Sequence, residues 1–305
     1  MMKDDGGPHG WLVIDKPLGL SSHRIVEIIR RHTEGRVGHA GTLDPLATGV
    51  LPIAIGEATK TTAYAMTGRK RYRFRIRWGV ARATDDREGE ITGECAARPS
   101  REAIEAALPR FLGTIRQHPP AYSAIKINGS RAYKLARKDS QPILPVRTVE
   151  VAELRLIAVP DADHVDCEAL VGKGTYIRAL ARDLGATLGT FAHLAQLRRL
   201  SVGRFTESQA ITLDLLTEQG HISGDCRYLL PIETALDDIP ALVVTATEAA
   251  RLRSGQKVMP GDVRKWADPG RLREGVVVGA WHDQGVVALA RIENGLLRPV
   301  RVINR

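Results

Sequence analysis

The sequence is poor in cysteine and aromatic residues and has no long apolar run. Only three cysteines occur in 305 residues, Cys95, Cys167 and Cys226. They are far apart and odd in number, and no two have metal-ligand or redox spacing. A disulfide framework or a zinc site is therefore not expected. The nine histidines form no His-x-His or His-Glu-x-x-His pattern, which removes the common signatures of metal hydrolases. No stretch approaches the roughly 20 apolar residues of a membrane-spanning helix. The opening residues, MMKDDGGPHG, lack the apolar core of a secretory signal, so a cytoplasmic protein with no membrane partner is expected. Tandem repeats and low-complexity tracts are also missing.

What is present points elsewhere. A hydrophobic content of 43% over this length is enough for a real core and for two domains. The net charge is +9, with a sequence pI near 9.7, and such a balance favours a polyanionic partner such as nucleic acid. The best domain boundary falls near residues 238–240. The segment 240–305 carries five of the nine net positive charges in about a fifth of the chain. Its short apolar runs, punctuated by Gly and Pro, predict a small β-barrel.

Within the first segment, 10–238, residues 11–15 read as a short buried strand, followed by a turn at 16–19. Ser21 or Ser22 can cap a helix through about residue 31, with Ile25, Val26, Ile28 and Ile29 on its apolar face. Residues 38–52 are rich in glycine and small side chains and read as a structured loop with one helical turn. Residues 70–78 alternate: Tyr72, Phe74, Ile76 and Trp78 face one way, Arg71, Arg73, Arg75 and Arg77 the other. Ser100 caps a further helix that Pro109 interrupts. Residues 116–147, with four prolines and a basic stretch at 131–138, read as an excursion from the core. Strands follow near 147–157 and 164–171, then a turn at 172–174 and a helix to about 188. The arginines of 69–77 and the basic stretch at 131–138 predict phosphate contacts and salt-sensitive RNA binding.

Three constellations could carry chemistry. In the run from Gly38 to Pro52, glycines permit close backbone approach, and Asp44 stands among small and apolar residues. Such a carboxylate can act as a nucleophile or base. Asp44-Pro45 is equally a good helix start, with Asp as cap and Pro in the first turn. In the run from Lys173 to Arg178, Tyr176 and Arg178 fall at a helix start, and an arginine there can partner a carboxylate or sit exposed. The glycines flanking Lys173 lack the upstream glycine of a phosphate-binding loop. Tyr72, flanked by arginines, can stack on a base or serve as a core residue.

In order and spacing these segments resemble one family. They are Leu12 to Pro17 with Ser22, the run from Gly38 to Gly49, Lys70-Arg71-Tyr72, Pro119 to Lys126, and Lys173 to Arg178. Together they are similar to the bacterial TruB-type tRNA pseudouridine synthases, from about residue 10 to 210. The segment 240–305 resembles, more loosely, a PUA domain. The resemblance implies an α+β fold with a mixed, largely antiparallel sheet and flanking helices, plus a C-terminal β-barrel. It implies isomerisation of uridine to pseudouridine in the T-loop of tRNA, at position 55, with no cofactor, no metal and no obligatory protein partner. Asp44 then matches the catalytic aspartate, Tyr72 the tyrosine stacked on the extruded uracil, and Tyr176 and Arg178 a pocket tyrosine and the arginine paired with the aspartate. His39 matches a residue stacking inside the T-loop and Leu197 a pocket wall. Lys16 and Pro17 match a supporting motif, and residues 116–147 match a thumb-like insertion. A guide-dependent synthase, a non-catalytic RNA-binding protein and a two-carboxylate sugar enzyme are the competing readings. The last lacks a second acidic residue in the matched motifs.

Overall fold

The computed structural model describes residues 7–123, 126–127, 130–131, 144–218, 220–259, 273–283 and 285–304. Its first strand, β1 (Gly10–Lys16), is apolar on both faces and buried on both, as a strand inside a covered sheet should be. The helix Ser22–Arg30 follows. Ser21 caps it by accepting from the Arg24 N–H, and Ile25, Val26 and Ile29 turn inward. Next come β2 (Val37–His39), β3 (Ala47–Ile55), β4 (Lys70–Trp78), β5 (Val80–Arg82), β6 (Ile91–Glu94), β7 (Gly113–Gln117), β8 (Lys126–Ile127) and β9 (Ser130–Arg131). β10 (Arg147–Asp161), β11 (His164–Val171), the helix Ile177–Thr187, β12 (Ala192–Val202) and β13 (Phe205–Thr206) complete the first part.

Nine of these strands form one sheet in the order β1-β3-β12-β4-β11-β10-β7, with β2 also on β3 and β13 on β12. Only the contact of β12 with β3 is parallel; the other pairings in this sheet are antiparallel. The expected mixed, largely antiparallel sheet with flanking helices is present. β12 lies between β3 and β4, so it sets the start of β3 beside the middle of β4. The helix Ile177–Thr187 packs closely on β12 because Gly185 has no side chain: a Cβ there would lie 2.5 Å from that of Ala192.

The segment 38–52 is not a loop with a helical turn. Its ends are β2 and β3, joined by residues 40–46, and Asp44 heads a tight turn in which the Ala47 N–H reaches the Asp44 carbonyl at 3.0 Å. The glycines and Pro52 read as loop residues, but they serve a strand that needs small side chains. Gly49 has φ +97°, and a Cβ on it would stand 2.2 Å from the Arg199 carbonyl oxygen of β12. Most of the basic stretch 131–138 lies outside the described residues.

Beyond residue 240, β14 (Ala241–Val243), β15 (Val277–His282), β16 (Gly285–Glu293) and β17 (Leu296–Val302) form a four-stranded sheet. Among the described residues it is open, not the closed barrel expected. Both of its faces are otherwise covered. The helix Ala246–Arg253 packs Ala249 and Leu252 against Val278, Ala288 and Leu297 on one side. On the other, Val286, Leu289 and Ile303 join a core with Trp11, Val13, Ala54, Ile232 and Leu236 of the first part. Polar ties reinforce this junction: Lys60 Nζ donates to the Val302 carbonyl at 2.8 Å, and the Asn304 N–H to Glu57 at 2.7 Å. No described helix is long and apolar enough to cross a membrane.

Candidate active site

Asp44 sits at the tip of the connection between β2 and β3, and its loop is pinned from three sides. The Ser22 hydroxyl donates to the Leu43 carbonyl at 3.0 Å and accepts from the Leu43 N–H at 2.8 Å. Lys16 is fully buried, and its ammonium donates to the carbonyls of Leu20 (2.6 Å), Pro17 (2.9 Å) and Pro45 (3.3 Å). Burial lowers the pKa of this ammonium to about 8, while the nearby Asp44 acts in the opposite direction. From β12, Arg199 reaches the Gly41 carbonyl at 3.0 Å. Pro17 itself is exposed and enters this arrangement through its backbone.

The partner expected for Asp44 is in place. Arg178 Nη2 lies 3.1 Å from Asp44 Oδ2. The arginine side chain is 6% exposed and the aspartate 40%, so the cation is anchored in the protein while the carboxylate faces outward. Arg178 also donates to the carbonyls of Thr84 and Tyr122, each at 2.9 Å. It stands in the first turn of the helix Ile177–Thr187, whose start is held by a reciprocal pair. The Tyr176 N–H donates to Gln117 Oε1 at 2.8 Å, and Gln117 Nε2 donates to the Tyr176 carbonyl at 3.1 Å. Burial raises the pKa of the Tyr176 phenol, keeping it neutral.

A second carboxylate, which the sequence reasoning missed, completes the group. Asp86 is buried and lies 3.3 Å from Arg178 Nη1. It also accepts from the Thr84 hydroxyl at 2.5 Å and the Glu88 N–H at 3.0 Å. The only local signal is the polar run Thr84-Asp85-Asp86, which reads as an ordinary exposed turn. One guanidinium is thus shared between two carboxylates, Asp44 and Asp86.

Tyr72 and Leu197 lie on neighbouring strands beside this group. Leu197 pairs with Ala47 of β3 and Phe74 of β4, and Arg199 pairs with Gly49 and Tyr72. Tyr72 is partly buried against the main core and is the cross-strand neighbour of Arg199. His39 is placed apart, on β2 opposite Ile53. It lines a cleft of about 480 Å³ with Arg30, Arg36, Thr59 and Thr62. Burial and the nearby Arg199 lower its pKa, so the imidazole is neutral, and its buried Nδ1 has no partner among the described residues.

Arg69, just before β4, and three arginines of β4 are already engaged, while the buried Nε of Arg77 has no partner among the described residues. Arg69 pairs with Glu150, Arg71 with Glu153 and Glu168, Arg73 with Glu168, and Arg75 with Asp166. Arg69, Arg71, Arg73 and Arg75 thus belong to an ion-pair lattice across β4, β10 and β11, in which any phosphate would compete with Glu150, Glu153, Glu168 and Asp166.

The family model described as TruB family pseudouridylate synthase (N terminal domain) matches residues 29–177, and that of the tRNA pseudouridylate synthase B C-terminal domain matches 178–237. The chain belongs to the TruB family of pseudouridylate synthases. Among curated TruB relatives, the tRNA pseudouridine synthase B of Bradyrhizobium diazoefficiens is 50% identical, over 99% of this chain and 88% of its own length. That of a Caulobacter species is 49% identical, over 96% and 95%. The solved structure of an H/ACA RNP bound to a substrate RNA containing 2'-deoxyuridine holds a chain of the same fold. It has a TM-score of 0.74 at 22% identity and covers 100% of this chain and 92% of that one.

Proposed function

We propose that this TruB-family protein isomerises uridine to pseudouridine at position 55, in the T-loop of tRNA, with Asp44 as the catalytic carboxylate. The reaction breaks the N1–C1′ bond, turns the uracil and forms a C5–C1′ bond. Both base and sugar must be reached, so the nucleotide has to leave the folded RNA, at a cost of about a few kcal/mol. Stacking on Tyr72 offsets about 1–3 kcal/mol of that cost. Tyr176 and Leu197 wall the pocket, and Arg178 fixes Asp44. His39, a neutral imidazole, stacks inside the T-loop. Lys16 and Pro17 support the catalytic loop.

The observation that carries this reading is the Asp44–Arg178 pair at 3.1 Å, with its cation buried and its carboxylate outward. That is the arrangement of a charged group meant to meet a substrate. Residues 240–305, with their excess of positive charge, form a second, RNA-binding domain that grips the rest of the T-stem. The enzyme works as a cytoplasmic monomer without a protein partner.

The test is incubation of the purified protein with an unmodified tRNA transcript, followed by mapping of pseudouridine. One new pseudouridine at position 55 is expected. Conversion only after addition of a guide RNA and accessory proteins, or none at all, would overturn the proposal.

A further inference from the structure

Arg199 is a buried cation that the chemistry above does not use. Its residue is 1% exposed. An arginine is almost never this deeply buried without an acidic partner, yet among the described residues no carboxylate pairs with it. Nε donates to the Val50 carbonyl at 2.7 Å and Nη2 to the Gly41 carbonyl at 3.0 Å. The Tyr72 phenol stands beside it and opposes the fall in pKa that burial imposes on the guanidinium, and His39, Lys16 and Lys70 are near enough to feel its charge.

The placement explains the burial. Gly41 and Val50 stand on the two limbs of the connection that carries Asp44, one leaving β2 and the other within β3. The β2–β3 ladder covers Val37–His39 against Ile53–Ile55 and is extended by one bond, from the Ala40 N–H to the Pro52 carbonyl at 2.9 Å; Gly41 and Val50 lie just beyond it. The guanidinium fills the opening and bonds both limbs. The backbone makes room for it: Gly49 admits the Arg199 carbonyl, and a Cβ on Gly41 would lie 3.4 Å from Nη1. On its other side the guanidinium meets Tyr72, its partner in the register of β12 with β4. A guanidinium has only donors, so where the two groups meet the Tyr72 oxygen is the acceptor.

We propose that Arg199 is the positioning residue of this active site: it holds the Asp44 loop open and in register with Tyr72, and it orients the Tyr72 hydroxyl. It touches no reacting atom. This rests on the reading of Asp44 as the catalytic carboxylate. A compact ammonium lacks the planar, spread donors with which the guanidinium reaches the two limbs and faces the phenol.

The test is a double-mutant cycle of Arg199→Lys and Tyr72→Phe, read as single-turnover pseudouridine formation on tRNA with enzyme in excess. Arg199→Lys should lower the rate about 100-fold, the cost of a small misplacement, with tRNA affinity within threefold of wild type. Tyr72→Phe should slow the wild type about tenfold and the Arg199→Lys protein less than twofold. An equal cost of Tyr72→Phe in both backgrounds, or loss of tRNA binding in step with rate, would overturn the inference. Should Arg199→Lys fail to fold, ¹⁵N-arginine spectra of the folded wild type and Tyr72→Phe proteins decide. A slowly exchanging Arg199 Nε–H that shifts on loss of the hydroxyl supports the inference, and an unmoved signal overturns it. Failure of the parent reading looks different: the wild type would make no pseudouridine, or Asp44→Asn would remain active.

Discussion

Replacing Arg178 by lysine keeps the charge and removes the geometry. Arg178 makes four polar contacts, to Asp44 (3.1 Å), Asp86 (3.3 Å) and the carbonyls of Thr84 and Tyr122 (2.9 Å each). A single ammonium has three donors on one point and cannot span two carboxylates and two carbonyls, so at least one contact is lost. Hydrogen bonds to charged groups contribute about 1.5–3 kcal/mol each. Water can replace the contact at Asp44, whose side chain is 40% exposed, but not at Asp86, at 4%. The stability loss should therefore be about 2–3 kcal/mol, close to one unreplaced charged contact. The kinetic loss is larger in proportion, because a carboxylate displaced by about 1 Å can cost about 100-fold in rate. Urea denaturation measures the first, and single-turnover conversion of an unmodified tRNA transcript measures the second. An Arg178→Lys protein that folds and converts uridine within threefold of the wild-type rate would refute this reasoning.

Other expectations follow from the same contacts. Gly49→Ala places a Cβ 2.2 Å from the Arg199 carbonyl at φ +97°. It should cost about 3–5 kcal/mol in urea denaturation, and a loss under about 1 kcal/mol would contradict the close packing of β3 on β12. The folded-state pKa of Lys16, about 8, lies below the unfolded value of about 10.4. The folded protein thus sheds this proton first, and the Lys16 contribution to stability rises between those two pH values. The stability difference between wild type and Lys16→Met should rise across that window; a flat difference would argue against burial of the charge. Arg71→Gln should leave the salt dependence of tRNA binding unchanged, because this guanidinium is already held by Glu153 and Glu168. A slope reduced by about 0.7 would assign it a phosphate contact instead. Deleting residues 240–305 should weaken tRNA binding and lower the melting temperature together, since Val286, Leu289 and Ile303 share a core with Trp11 and Ile232.

Local patterns made much of the fold legible. Alternation marks β4 from Lys70 to Trp78, Ser21 marks the start of its helix, and the turn at Gly174 marks the next. What local patterns could not show was where strands meet. β12 carries two adjacent arginines and reads as polar. Yet Arg198 turns outward to Asp15 and Glu207 while Arg199 is sealed between β3 and β4. β3 was hidden because the small residues that let Arg199 approach are also those of loops. The C-terminal strands were readable one by one, but closure of a sheet depends on what covers its faces, and here a helix and the first part of the chain cover them. For the site, the Asp44–Arg178 pair followed from family resemblance, because nothing near Arg178 in sequence reveals its partner. Asp86 escaped notice because its distant contacts, a backbone bridge to Leu194 and the ion pair with Arg178, lie far along the chain.

The central claim is that Asp44 is the carboxylate that acts on the nucleotide. Its most direct test is single-turnover conversion by Asp44→Asn with the protein in excess over unmodified tRNA. The substitution keeps the size and much of the hydrogen bonding and removes the charge. We expect no detectable pseudouridine while tRNA affinity stays within a few-fold of wild type. Conversion by Asp44→Asn at near the wild-type rate would contradict the account.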